Sequence, residues 1–134
     1  MSKLFVSERF AGSSIYKGGT VFFMDGKYID LKTGLGRVRG NAVIYKKMLG
    51  MFLDSKEFAA FDEALAAGDY QKAADVAHAI KGLTGNLALT PLFEESTSLM
   101  NQLRGGAYEE ATLQNYRTIL TETRDEVKKL IEAP

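Results

Sequence analysis

The stretch VAHAIKGLTGN (residues 76–86) decides the fold, because it joins a helical core pattern to an unusual polar face. Small and apolar residues recur at three- and four-residue spacing from Ala73 to Leu87, which predicts an amphipathic helix. His78, the single histidine of the chain, follows Ala77 and is therefore turned about 100° from the apolar stripe. We expect a helix that packs along one side and presents His78 at its surface.

Glycine and short polar residues mark the helix ends around this stretch. Asn41 suits the N-cap and Gly68 the C-terminal end of one long helix. Asp69 then suits the N-cap of the helix that carries His78, so the two helices should run antiparallel. The inward positions expected on the long helix are Ile44, Met48, Met51 or Phe52, Phe58, Phe61 and Leu65. Those of the next helix are Ala73, Ala77, Ile80, Thr84 and Leu87.

Two more helices are predicted after these. Thr90 resembles an N-cap with Pro91 at the first helical position, and Gly105 with Gly106 ends this third helix. A fourth helix begins near Glu109. Their inward positions are Leu92, Ser96, Leu99 and Leu103, then Leu113, Tyr116, Leu120, Val127 and Leu130. Four helices with short connections predict an all-α fold, an antiparallel up-down four-helix bundle.

The beginning of the chain has a different pattern, with glycines spaced among aromatic residues over residues 1–28. The pair Asp25-Gly26 between apolar runs is a hairpin signal, although a flexible leader explains the same composition. Asp30 then begins a short helix ahead of the bundle. The sequence therefore predicts an N-terminal extension over residues 1–28, hairpin-like or flexible, and a helical bundle over residues 29–134.

Composition argues against several classes of function. The chain has 134 residues and 46% hydrophobic content, which suits one compact domain. Basic and acidic residues number 17 each, and the small basic group Arg37, Arg39, Lys46 and Lys47 does not alter that balance. We therefore expect neither nucleic acid nor a membrane as a partner. Cysteine is absent and no apolar run reaches the ~18 residues of a membrane span, so the expected location is cytoplasmic.

The polar side of the second helix carries the candidate chemistry. Lys81, Gly82 and Gly85 follow His78 by three, four and seven residues, so they share its side of the helix. An interior glycine costs a helix about 1 kcal/mol relative to alanine, so two on an exposed face suggest clearance for a partner. A neutral imidazole offers a nitrogen lone pair that can attack a phosphoryl group, and Lys81 would offset the negative charge.

The run AHAIKGLTGNLAL (residues 77–89) resembles the signature of the histidine-containing phosphotransfer (HPt) domain family. The run IDLKTGLGRVRGNAVIYKKMLGMFL (residues 29–53) is similar to the family's first helices. The resemblance implies that His78 is the phosphoacceptor, that Lys81 stabilises the phosphoryl group and that Gly82 leaves room for the incoming domain. Ala88 is a departure, since many members have glycine there.

The resemblance also implies partners and cofactors. HPt domains relay phosphoryl groups between aspartates of response-regulator receiver domains, in pathways that start from a hybrid sensor histidine kinase. They have no kinase or phosphatase activity, and no cofactor is expected beyond magnesium on the partner receiver domain. We expect the receiver to dock around His78 on Gln71, Ala74, Asp75 and Gly85, with help from the neighbouring first helix.

Other interpretations of His78 stay open. A helical interaction module that docks receiver domains or other proteins without accepting phosphate would use the same face. An enzyme with His78 as a general base would need a pocket beside the ring, and the sequence indicates none. A metal site lacks ligands, because the chain has one histidine and no cysteine.

Overall fold

In a computed structural model that describes residues 26–133, this part of the chain forms six helices and no strand. The predicted all-α class is therefore confirmed. The helices are α1 (Leu31–Gly36), α2 (Ala42–Leu53), α3 (Glu57–Ala66), α4 (Tyr70–Asn86), α5 (Thr90–Arg104) and α6 (Glu110–Glu132). Within the same residues, no helix has the length and hydropathy needed to cross a membrane.

The helices occupy four positions around one core. α2 and α3 together fill the first position, α3 packs against α4, α4 against α5 and α5 against α6. α6 also packs against α2, which closes the bundle. Short connections make neighbouring helices antiparallel. The predicted up-down four-helix bundle with a short preceding helix is therefore confirmed.

The single long helix predicted ahead of α4 is wrong, because residues 54–56 interrupt it. The Ser55 hydroxyl accepts a hydrogen bond from the Glu57 backbone N–H at 3.2 Å, at the start of α3. Short polar side chains compete with the helix for backbone hydrogen bonds, which favours a turn here. The rings of Phe52 and Phe58 meet edge to face across the break, with centroids 5.4 Å apart.

The break changes which side of α2 faces the core. Tyr45, Leu49 and Phe52 are buried, so Phe52 is the correct one of the predicted alternatives Met51 and Phe52. Ile44, predicted to face inward, is 46% exposed. The prediction assumed one continuous helix. Because α2 is separate from α3, it is rotated about its own axis, and its buried residues Tyr45 and Leu49 each follow a predicted inward position by one residue. On α3 the predicted inward side is the observed one, with Phe58 and Phe61 buried.

The remaining helix ends lie close to their predicted positions. Asn41 and Asp69 cap α2 and α4, and each side chain accepts a hydrogen bond at 3.1 Å from a backbone N–H three residues on. Gly68 has a φ of 72°, in the left-handed region that ends a helix. The predicted N-cap at Thr90 is wrong by one residue, since α5 begins at Thr90 and Leu89 is its N-cap. The inward positions predicted in the second and third helices are all buried: Ala73, Ala77, Ile80, Thr84, Leu87, Leu92, Ser96, Leu99 and Leu103.

The backbone ahead of α1 lies against α6. The Tyr28 N–H donates to a Glu126 carboxylate oxygen at 3.1 Å, and the Tyr28 hydroxyl donates to Glu122. A Cβ atom on Gly26 would overlap the Glu126 carboxylate, so glycine allows this close approach. Apart from Gly26, the hairpin predicted at Asp25-Gly26 lies outside the described residues, as does most of the extension. The domain boundary after residue 28 stays a prediction.

Candidate functional site

His78 lies near the middle of α4 and is exposed, as the helical periodicity predicted. Ala77 and Ile80 are buried on the other side of the helix, so the imidazole points away from the core. The helix is fixed at its start by the Asp69 cap and along its length by contacts with α3 and α5. A rigid helix therefore holds the ring at the surface.

The neighbours of His78 form one continuous stripe along α4. They are Gln71, Asp75, Lys81, Gly82 and Gly85, of which Lys81 and Gly85 are partly buried and the rest exposed. Asp75 forms an ion pair with Arg104 of α5 at 3.4 Å. Sequence reasoning missed Arg104, but an exposed pair of this kind contributes little to stability.

Ala74 does not belong to this stripe, because its side chain is fully buried. The expectation that it contacts a partner is therefore wrong. α4 packs against both α3 and α5, so its buried arc is wider than a single apolar stripe and includes Ala74 beside Ala73 and Ala77.

The two glycines of the stripe have different surroundings. A Cβ atom on Gly82 would meet no atom of another residue within 4 Å beyond its own stretch of helix, so the space there is open. On Gly85, a Cβ atom would lie 3.1 Å from the Phe93 ring of α5. Gly82 leaves clearance beside the imidazole, whereas Gly85 permits close packing between two helices.

A groove of about 570 Å³ lies beside His78, where the sequence indicated no pocket. α1 contributes Thr33 and Arg37 to its lining, and α5 contributes Thr90 and Phe93. The remaining lining residues come from α4 and the turn that follows it. Two of the lining residues are basic and none is acidic, so the groove favours an anionic group.

Hydrogen bonds from α1, its cap and α2 hold these elements over the end of α4. The donor and acceptor pairs are the Asp30 N–H with the Ala88 carbonyl at 2.9 Å, the Tyr45 hydroxyl with the Leu87 carbonyl at 2.6 Å, and Arg37 Nη1 with the Gly85 carbonyl. Gly85 lies in the last turn of α4, and Leu87 and Ala88 belong to the turn that follows it, so these donors fix the end of α4 and its turn in place. Burial raises the pKa of Tyr45, so its hydroxyl keeps the proton that it donates.

Arg37 is a groove residue that sequence reasoning placed only in a small basic group. Its contact with Gly85 joins positions 48 residues apart, so no local spacing indicates it. Among residues 26–133, no cluster of three or more histidine, cysteine or acidic side chains is arranged to hold a metal ion. The polar side chains that line the groove are an imidazole, two cations, an amide and three threonine hydroxyls.

A comparison with models of protein families gives a match. The family model described as Hpt domain matches residues 47–133, a span that contains His78 and all of α3 to α6. No curated protein and no solved structure matches the chain. Domains of this family take part in phosphotransfer in phosphorelays, together with receiver domains and histidine kinases. Because the match extends over well more than half of the sequence, the chain belongs to the Hpt domain family.

Proposed function

We propose that this protein is a phosphoryl carrier, in which His78 accepts a phosphoryl group from the aspartyl phosphate of one receiver domain and passes it to another. The observation that carries the proposal is the exposed His78 of an Hpt domain beside the open space at Gly82. A receiver domain must bring its aspartyl phosphate to the ring, and that space supports such an approach.

The proposed step balances without a further reactant. The lone pair of one ring nitrogen attacks phosphorus, a P–N bond forms, and the bond between phosphorus and the bridging carboxyl oxygen of the aspartate breaks. The electron pair leaves with the aspartate carboxylate, while the other ring nitrogen keeps its proton. Lys81, one helical turn from His78, offsets negative charge on the group in transfer. The same step in reverse delivers the phosphoryl group to the second receiver.

Partners and cofactors follow from this role. The donor would be the receiver domain of a hybrid sensor histidine kinase and the acceptor a response regulator, and Mg²⁺ would be held by the receiver in each case. We expect the protein to need no cofactor of its own, to lack kinase and phosphatase activity and to work in the cytoplasm. The described lining of the groove has two cations and no carboxylate, which suits a negatively charged group in transfer.

The test is direct transfer. The protein is incubated with a phosphorylated receiver domain and Mg²⁺, and label is expected on the protein that is labile in acid and stable in alkali. His78→Gln should abolish the label, and Lys81→Gln should slow its appearance. Circular dichroism of both variants controls for loss of the fold.

Two alternatives predict other results. An interaction module would bind the receiver while the label stays on the receiver. A general-base enzyme, whose space requirement the groove meets, would turn over a small substrate and lose that turnover in His78→Gln.

A further inference from the structure

Arg37 adds a cation to the His78 groove from outside the span that the family model matches. It stands at the C-terminal end of α1 and its side chain is exposed. Nη1 donates a hydrogen bond to the Gly85 carbonyl, which places the guanidinium against the exposed stripe of α4. Arg37 is therefore held at the groove instead of projecting freely into solvent.

The guanidinium keeps donors for a second contact. A guanidinium has five N–H donors in a planar fork, and the hydrogen bond described for this side chain, to Gly85, uses one of them. The groove lining includes no carboxylate that would neutralise Arg37 or Lys81. Since a planar fork matches a carboxylate better than a point charge does, Arg37 suits an acidic side chain of a partner.

The position of Arg37 excludes direct help to the transferred group. Gly85 follows His78 by seven residues, which is roughly 10 Å along a helix at ~1.5 Å per residue. The side chain of a helical residue leans toward the N-terminus, so the imidazole leans away from Gly85. A phosphoryl group on His78 would therefore lie beyond hydrogen-bond reach of the guanidinium.

A protein domain that covers both His78 and the groove would contact the imidazole and the Arg37 guanidinium at the same time. We propose that Arg37 binds a carboxylate on the receiver domain and so selects which receiver exchanges phosphate with His78. This inference rests on the proposed function, because the receiver is the partner that function requires. Arg37 is then a specificity residue at the end of α1, whereas Lys81 offsets charge on the phosphoryl group.

The test separates docking from chemistry. Transfer to His78 is measured against receiver concentration, with the receiver that transfers fastest to the wild type among those purified from the same organism. Arg37→Gln should raise the receiver concentration at half-maximal rate by about tenfold, the effect of losing one charge-assisted hydrogen bond, and leave the rate at saturation unchanged. Lys32→Gln is the matched control, because it removes a positive charge from the same helix outside the groove lining. It should change neither value more than about twofold.

Three results would overturn the inference. A lower rate at saturation with unchanged half-saturation would place Arg37 on the phosphoryl group. Equal behaviour of Arg37→Gln and wild type would leave Arg37 as a cap on α4 alone. An equal rise of the half-saturating receiver concentration in Arg37→Gln and Lys32→Gln would indicate a general attraction between charged surfaces. Arg37→Lys, which keeps the charge but not the fork, should recover part of the affinity and guards against a folding defect in the glutamine variant.

The inference can fail separately from the proposed function. If the wild type takes no phosphate from any receiver, the proposed function fails, and calorimetric titration of each purified receiver into wild type, Arg37→Gln and Lys32→Gln still measures docking. Weaker binding of Arg37→Gln than of Lys32→Gln supports the inference there, and equal binding of the two variants rejects it.

Discussion

His78 and Gly82 lie one helical turn apart on α4, and the space above Gly82 is the route by which another domain would reach the ring. The glycine weakens the helix, since an exposed alanine would hold the backbone better. No neighbouring atom requires a glycine at position 82, so the glycine does not stabilise the fold. We therefore expect Gly82 to serve the approach of another domain to His78.

Substitutions of Gly82 should therefore affect stability and phosphoryl transfer in opposite directions. Gly82→Ala should raise the free energy of unfolding by about 0.5–1 kcal/mol, because the methyl group meets open space. Gly82→Gln should slow phosphoryl transfer to His78 by about tenfold or more, because its side chain occupies the approach. Urea denaturation and the transfer assay measure the two effects.

Gly50 is the matched control, since it also lies inside a helix and an added Cβ would meet no atom within 4 Å beyond its own stretch of helix. Gly50→Ala should stabilise the protein similarly, while Gly50→Gln should leave transfer unchanged. Fast transfer in Gly82→Gln would contradict the clearance role.

At the scale of elements, the break between α2 and α3 is supported by α6, which packs beside α2. Arg124 of α6 donates a hydrogen bond from Nη2 to the Leu53 carbonyl at 3.1 Å. Leu53 is the last residue of α2, where carbonyl groups lack partners within the helix. α6 therefore stabilises the helix end that the interruption leaves open.

Loss of the Arg124–Leu53 hydrogen bond should lower the free energy of unfolding more than loss of an exposed ion pair made by another arginine of α6. Arg124→Met should lower the free energy of unfolding by about 2 kcal/mol, because a partly buried, charge-assisted hydrogen bond is lost. Arg117→Met, which removes an exposed pair with Asp62 at 3.2 Å, should cost less than about 0.5 kcal/mol. Chemical denaturation measures both, and an equal cost for the two variants would show that Arg124 gives the break no special support.

At the scale of the whole molecule, the segment before α1 and the last helix are joined near both ends of the described chain. Glu126 accepts a hydrogen bond from the Tyr28 backbone N–H at 3.1 Å, and the neighbouring backbone N–H groups of Lys27 and Ile29 also favour its charged form. Burial raises the pKa of Glu126 above its ordinary value of 4.5, although these backbone N–H groups and Lys129 act in the opposite direction. The folded protein therefore binds this proton more tightly than the unfolded chain does.

The raised pKa predicts a pH dependence of stability. The contribution of Glu126 is fully present below about pH 4.5 and is lost as pH rises through the pKa of the folded state. Glu126→Gln cannot ionise, so its stability relative to the wild type should increase from pH 4 to pH 7. Chemical denaturation of the wild type and Glu126→Gln at each pH gives the difference between their free energies of unfolding. The other carboxylates are the same in both proteins, so their effects cancel in this difference. A difference that falls with pH would mean that the hydrogen bonds outweigh burial.

Local rules explain why much of the site was predictable. Caps at Asn41 and Asp69 and the left-handed Gly68 are properties of neighbouring residues, so their sequence signals hold in the structure. The exposure of His78 follows from helical geometry once the buried stripe of α4 is known. Ala88, where the family resemblance expects glycine, has a φ of 60°, so the backbone conformation that glycine favours is kept despite the side chain.

The sequence by itself determined the number of bundle positions, most helix ends and the side of α4 that carries His78, because each depends on residues within a few turns of one another. The tertiary structure alone decided the rotation of α2, the burial of Ala74 and the groove that Arg37 lines. Those features depend on contacts between helices, including one that joins positions 48 residues apart. No periodicity within a single helix contains that information, because a helix repeats the same faces whichever neighbours later cover them.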